Sequence, residues 1–265
     1  MILIGEKING TRKQVGQAIK ERNRDLIQQL AIQQVEAGAD WLDVNAGIGS
    51  EREKEDLIWL VQTVQEVTDR PLCLDSANSE ALIGTLSLVK KTPMINSVSG
   101  EKKRRERLLP LISDRQCPVI MLAMDDQGIP KTVEERITII NWLIEEARDI
   151  KVKDELMYID PLVMALSVNT ESGKMALQTI EAIKERFPEV HVVSGLSNVS
   201  FGLPARSLIN RTFLALAIQA GLDAAILDPL DKGLRSVIRA AELILGQDRY
   251  CLNYIKAYRA GELVY

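Results

Sequence analysis

Short apolar runs and longer amphipathic segments alternate along the chain. The runs are ILIGEKI from Ile2, WLDVNAG from Trp41, PLCLDS from Pro71 and PMINSVSG from Pro93, then PVIMLAM from Pro118, LMYIDPL from Leu156, VHVVSGLSN from Val190 and DAAILDP from Asp223. Each is bounded by Gly, Pro or polar residues, the pattern of parallel strands buried on both faces. The segments between them predict helices. Thr132 with Glu135, and Ser50 with Glu53, have capping-box spacing. Ile137, Ile140, Ile144 and Ala147 recur at helical spacing and give one face to pack on a sheet. Gly38 in EAGAD and Gly221 in QAGLD stand where a left-handed residue ends a helix.

The pattern amounts to eight strand–helix units of roughly thirty-three residues each. They share a plan without sharing sequence, so the expected fold is a single α/β domain over residues 1–265, a (β/α)8 TIM barrel. An extra helix and tail are expected from about 248 to 265. A doubly wound open sheet is the alternative. It would ordinarily carry a Gly-rich phosphate turn after the first strand, and GEKING is not G-x-G-x-x-G.

Composition narrows the chemistry. The 265 residues hold 33 Lys+Arg against 37 Asp+Glu, a formal charge of −4, which disfavours a nucleic-acid partner. No apolar run nears the eighteen or so residues that span a bilayer, and the N-terminus does not read as a signal peptide. A cytoplasmic protein without a membrane partner is expected. There is one histidine, His191, and three cysteines, Cys73, Cys117 and Cys251, at no metal-ligand spacing. No bound metal or disulfide framework is expected. The cysteines read as small buried hydrophobes within strands, and His191 as structural.

The active site of such a barrel lies at the C-terminal strand ends. There the sequence places Glu6 and Asn9, Asp43 and Asn45, Asp75, Asn96, Asp160, Asn198 and Asp228. Asp228, before Pro229, reads as a helix cap or loop anchor. The others converge from separate strands. Carboxylates and carboxamides can read the edge of a flat heterocycle through paired donors and acceptors. The basic run from Lys102 to Arg107 reads as a solvated helix face, or as a patch for an acidic partner or ligand.

The segments GEKIN, LDVNAG, LCLDS, MINSVSGE and YIDPL, and the block GLSNVSFGLPARSLINRTFLALAIQAGLDAAILDP, resemble the methyltetrahydrofolate:corrinoid methyltransferases. These are pterin-binding barrels related to the folate domain of cobalamin-dependent methionine synthase and to dihydropteroate synthase. The resemblance runs from the first strand to the eighth and implies a homodimeric barrel. Asp75, Asn96 and Asp160 match pterin-binding positions, and Asn198 matches the asparagine that hydrogen-bonds N5 of the folate. Gly195, Ser197 and Arg206 match neighbouring positions. The paired-acceptor role falls to Asp160, a complementary one to Asn96, and another ring N–H to Asp75. Catalytic roles fall to Asn198, which orients N5, and Asp75, which shapes the proton network. Glu6, Asn9, Asp43 and Asn45 are additional mouth residues.

The implied reaction moves a methyl group between N5 of tetrahydrofolate and the cobalt of a corrinoid (cobalamin). His191, in EVHVVS, does not fit the D-x-H-x-x-G of cobalamin modules. The corrinoid is therefore expected on a separate protein. FGLPA, between Ser200 and Arg206, departs from acetogenic members, so transfer could run to or from the corrinoid. The alternatives are a dihydropteroate synthase-like condensing enzyme and a non-catalytic pterin- or folate-binding barrel.

Overall fold

The structure, a computed structural model, describes residues 1–47 and 52–264. Among these residues eight parallel strands close into a barrel in sequence order: β1 (Ile2–Asn9), β2 (Trp41–Asn45), β3 (Leu72–Asp75), β4 (Met94–Ser99), β5 (Val119–Leu122), β6 (Met157–Asp160), β7 (His191–Gly195) and β8 (Ala224–Leu227). Pairing of Ile2–Gly5 with Ala224–Leu227 closes the ring. This is the expected TIM barrel.

The connections are α1 (Lys13–Glu21), α2 (Arg24–Glu36), α3 (Glu53–Gln65), α4 (Ser79–Thr85), α5 (Lys102–Arg115), α6 (Val133–Asp149), α7 (Ser172–Arg186), α8 (Arg206–Ala220) and α9 (Lys232–Ile244). The sequence pattern had not separated α1 from α2. Arg22 takes a left-handed φ of 57°, and the Asn23 side chain then caps α2 by accepting from the Leu26 N–H. The C-terminal segment forms a 3-10 turn and α10 (Leu252–Arg259).

Ile137, Ile140, Ile144 and Ala147 are all buried beneath α6. Thr132 accepts from the Glu135 N–H while the Glu135 carboxylate accepts from the Thr132 N–H, both at 3.2 Å, so this capping box forms as read. Ser50 lies outside the described residues. Glu53 instead accepts from the Ser76 hydroxyl, and Arg52 stands at the cap position of α3. Gly38 and Gly221 carry φ of 94° and 113°, which side chains rarely adopt.

The cysteines correct their common reading. Cys73 is buried in β3 and Cys117 is buried just ahead of β5, but Cys251 is exposed in the turn before α10. That segment packs one face only and leaves the thiol in solvent. His191 sits at the N-terminal end of β7, stacked on Tyr158 at 4.5 Å and 3.2 Å from the Asp223 carboxylate. It lies at the opposite end of the barrel from the mouth.

Removing the Thr132 hydroxyl strands the N–H of Glu135. Thr132→Ala should lower unfolding stability by about 1 kcal/mol, read as an earlier urea midpoint with an unchanged slope.

Candidate functional site

Side chains two residues apart on a strand face the same way. Ile4, Cys73, Met94, Tyr158 and Val193, with Ile120 and Ala224, form one buried cluster. Two residues further along the same strands stand Glu6, Asp75, Asn96, Asp160 and Gly195. The apolar filling of the barrel therefore ends in a polar layer at the mouth. Concavities at the foot, around Met1, Leu3 and Glu36, and beside α10, around Val237, Tyr254 and Tyr258, lie elsewhere. The convergent carboxylates and carboxamides are at the mouth.

One group comes from β2, β3 and β4. Asn45 is level with Asp75, and Asp75 with Asn96. The Asn45 amide donates to Asp75 at 2.7 Å, while its carbonyl oxygen accepts from the Gly47 N–H at 2.7 Å. The Asn96 amide donates to Asp43 at 3.3 Å. Asp43 is one step deeper, level with Cys73, whose thiol also bonds to it. Burial, reinforced by the Asp75 charge, holds the Asp43 carboxyl well above the usual range. Burial also raises Asp75, opposed by the Asn45 hydrogen bond and the Arg104 charge.

A second group comes from β6, β7 and the 3-10 turn Leu196–Ser200. Asp160 is buried and accepts from the Leu162 N–H at 2.8 Å and from the Gly195 N–H. Burial outweighs these bonds and the Arg136 charge, lifting its pKa to about 6. A Cβ on Gly195 would stand 3.2 Å from the Asn198 amide nitrogen, so glycine leaves room for that carboxamide. Asn198 itself is exposed, and its side chain has no hydrogen-bond partner among the described residues. Arg206 donates to the Ser197 carbonyl at 2.7 Å and the Ser200 hydroxyl at 3.0 Å. In the FGLPA loop Phe201 is 66% exposed, and its ring lies 5.8 Å from the Arg206 guanidinium.

The remaining mouth residues are tied down locally. Glu6 pairs with Arg12 at 2.8 Å, and burial raises its pKa. The Asn9 carboxamide accepts from the Thr11 N–H and hydroxyl, closing the turn after β1. Asp228 accepts from the Leu230 N–H and pairs with Lys7 at 2.8 Å, acting as a loop anchor; the cap of α9 is Asp231. Among the described residues no His, Cys, Asp and Glu are grouped to hold a metal ion. No described helix is long and apolar enough to cross a membrane.

The burial of three arginines, Arg104, Arg105 and Arg136, was not read from the sequence. The run Lys102–Arg107 is not uniformly solvated, because Arg104 and Arg105 are half-buried. Arg104 donates to the carbonyls of Ser97, Ala77 and Ser76 at 2.6, 2.5 and 2.6 Å. Arg105 pairs with Glu146 at 2.6 Å and lies over Trp142. Arg136, 1% exposed, donates to the carbonyls of Pro161 and Leu162 at 2.6 and 2.8 Å. A usable signal was present: Arg104 heads the spacing Leu108, Ile112, and Arg136 heads Ile140, Ile144, so each arginine belongs to a buried stripe.

Residues 5–228 match the family of pterin binding enzymes. The chain belongs to that family. A methylcorrinoid:tetrahydrofolate methyltransferase from Eubacterium limosum is 43% identical over 265 residues, covering 99% of this chain and 98% of that protein. A methionine synthase from Mycobacterium leprae is 30% identical over 239 residues, 85% of this chain but 20% of that much longer protein. Among solved structures, dihydropteroate synthase from Clostridium difficile, crystallised in the presence of pteroic acid, superposes with a TM-score of 0.74. It is 20% identical, with 92% and 96% of the two chains covered, a likeness of fold alone. The polar bowl built above thus stands at the strand ends of a pterin-binding barrel.

Asp160 gives this barrel a distinctive pH response. A carboxyl whose folded pKa is raised binds its proton more tightly folded than unfolded, so its contribution is greatest below the unfolded pKa near 4 and is lost as pH rises through about 6. Ionising it in the empty barrel costs up to about 3 kcal/mol. Thermal unfolding followed from pH 4 to 7.5 should show wild type losing stability over that window relative to Asp160→Asn. Parallel curves would refute the shift, whatever their constant offset.

Proposed function

We propose that this chain transfers a methyl group from the cobalt of a methylcorrinoid, carried by a separate protein, to N5 of tetrahydrofolate. The observation that carries the reading is Asn198: an exposed, unpartnered carboxamide beside the buried carboxylate that a pterin's N–H groups would satisfy. The direction is supported by the name of the Eubacterium limosum relative, which is alike along nearly its whole length. A dihydropteroate synthase-like condensation fits less well, because the end of β7 presents Asn198 while Arg206 is occupied by Ser197 and Ser200. The assembly that goes with this reading is a cytoplasmic homodimer served by a corrinoid protein, supported by the family resemblance.

The residues divide the work. Ionised Asp160 accepts paired hydrogen bonds from the pterin ring N–H and exocyclic amine. The bowl of Asp75, Asn96 and Asp43 offers acceptors and donors to the rest of the ring edge, with Asn45 fixing Asp75. Gly195, Ser197 and Arg206 hold the turn that carries Asn198. The methylcorrinoid supplies an electrophilic methyl on Co(III). The N5 lone pair attacks it in line: the N5–C bond forms as the Co–C bond breaks, both bonding electrons stay with cobalt as Co(I), and N5 gives up its proton. Asn198 has no useful pKa, so it orients the N5 lone pair rather than taking the proton. That proton passes by water into the network around Asp75. In reverse the same contacts assist departure of N5.

Mixing enzyme, tetrahydrofolate and methylcobalamin should produce the Co(I) spectrum. Asn198→Ala should lose roughly tenfold to a hundredfold in kcat with little change in folate affinity. Asp160→Asn should weaken folate binding roughly tenfold to a hundredfold, the worth of a charge-assisted hydrogen bond. The opposite pattern would overturn these roles, and a wild-type protein that binds neither folate form would overturn the function.

A further inference from the structure

Three of the proposed pterin contacts, Asp75, Asn96 and Asp160, are followed immediately by backbone carbonyls that point into arginine. Arg104, in the first turn of α5, spreads its guanidinium over Ser76 and Ala77, which follow Asp75, and Ser97, which follows Asn96. Arg136, in the first turn of α6, grips Pro161 and Leu162, which follow Asp160. Burying a guanidinium is costly, and among the described residues Arg136 has no carboxylate salt-bridge partner, only carbonyls. A residue needed only to fill space between helix and strand would be apolar, as Ile140 and Ile144 are further along the same stripe.

We propose that Arg104 and Arg136 are positioning residues of the pterin site, fixing the strand-end carboxylates by clamping the backbone just beyond them and setting a positive charge behind them. The clamp is specific at Asp160. Leu162 takes a left-handed φ of 61°, its N–H donating to the Asp160 carboxylate at 2.8 Å while Arg136 holds its carbonyl at 2.8 Å. A planar fork with several donors holds two or three carbonyls at fixed relative positions, which a point-charge ammonium does less rigidly. The charged groups acting on the two carboxylates are few: Arg136 on Asp160, and Arg104 and Glu53 on Asp75, which in turn raises the neighbouring Asp43 carboxyl.

The proposal rests on the pterin reading, and its test has a ligand-free arm. Carboxyl carbon NMR of the folded, empty protein should show Asp160 titrating about one unit higher in Arg136→Met, and Asp75 about one unit higher in Arg104→Met. Both variants should bind tetrahydrofolate roughly tenfold more weakly, with the pH dependence of binding displaced in the same direction. Arg136→Lys restores a charge but not the fork, so it should return the Asp160 titration towards wild type while binding stays weak. If Arg136→Met does not fold, Arg104→Met, on a half-exposed side chain, carries the test. Titrations unmoved in folded variants would overturn the proposal. Wild type that binds no folate would instead overturn the functional reading, and the ligand-free titrations would still judge the clamps.

Discussion

Closing β8 onto β1 gathers the last inward side chains of the strands at one mouth, and most of the site follows from how the buried carboxylates among them are neutralised. Asp43, Asp75 and Asp160 are ionisable groups in surroundings that disfavour charge. Their donors come from within the barrel: Asn45 for Asp75, Asn96 and Cys73 for Asp43, and the N–H groups of Leu162 and Gly195 for Asp160. These donors do not suffice, and the shortfall appears as raised proton affinity. Protonation or a donor-rich ligand can make it up. A pterin edge, with a ring N–H beside an exocyclic amine, is such a ligand. Ligand preference thus follows from an electrostatic deficit at the strand ends.

The same deficit explains the arginines behind the strand ends. A guanidinium directly bonded to Asp160 would neutralise it and compete with the substrate. Placed instead on the carbonyls of Pro161 and Leu162, it lends a positive field and a fixed backbone while leaving the carboxylate free towards the mouth. Arg206 repeats the arrangement at Ser197, next to Asn198. Arginine serves there because its charge is permanent and its donors lie in one plane.

The barrel and its polar rim were legible because both rest on periodicity: apolar runs mark buried strands, and the polar residue closing each run marks the mouth. The Met94–Asn96 and Tyr158–Asp160 pairs, two residues apart, carry both signals at once. Function depended on a less general signal, the block around Asn198, since acids and amides alone specify only a heterocycle. What stayed hidden was tertiary. Composition made Lys102–Arg107 a solvent face, although Arg104 shares the stripe of Leu108 and Ile112. Asn9, read as an additional mouth residue, also uses its carbonyl oxygen to close its own turn, a local bond that sequence position does not reveal. Cys251 followed its residue type's usual preference for burial in the reading, and the one-sided packing of the C-terminal segment overrode it.

Rigidity is distributed unevenly around the mouth. On β2, β3 and β6 the carboxylates are buried or half-buried and hydrogen-bonded within the barrel, whereas Asn198 stands exposed on a short 3-10 turn with its carboxamide uncommitted. A heterocycle must be held in one orientation for a single ring nitrogen to react, which calls for the locked side. In the proposed reaction the methyl donor comes on a different macromolecule and must reach that nitrogen in line, which calls for an open side with small adaptable groups. In that reaction cobalt and its leaving-group chemistry come with the donor, and the barrel's part is left to carboxylates and amides. Its lone histidine is free to brace the opposite end against Tyr158 and Asp223.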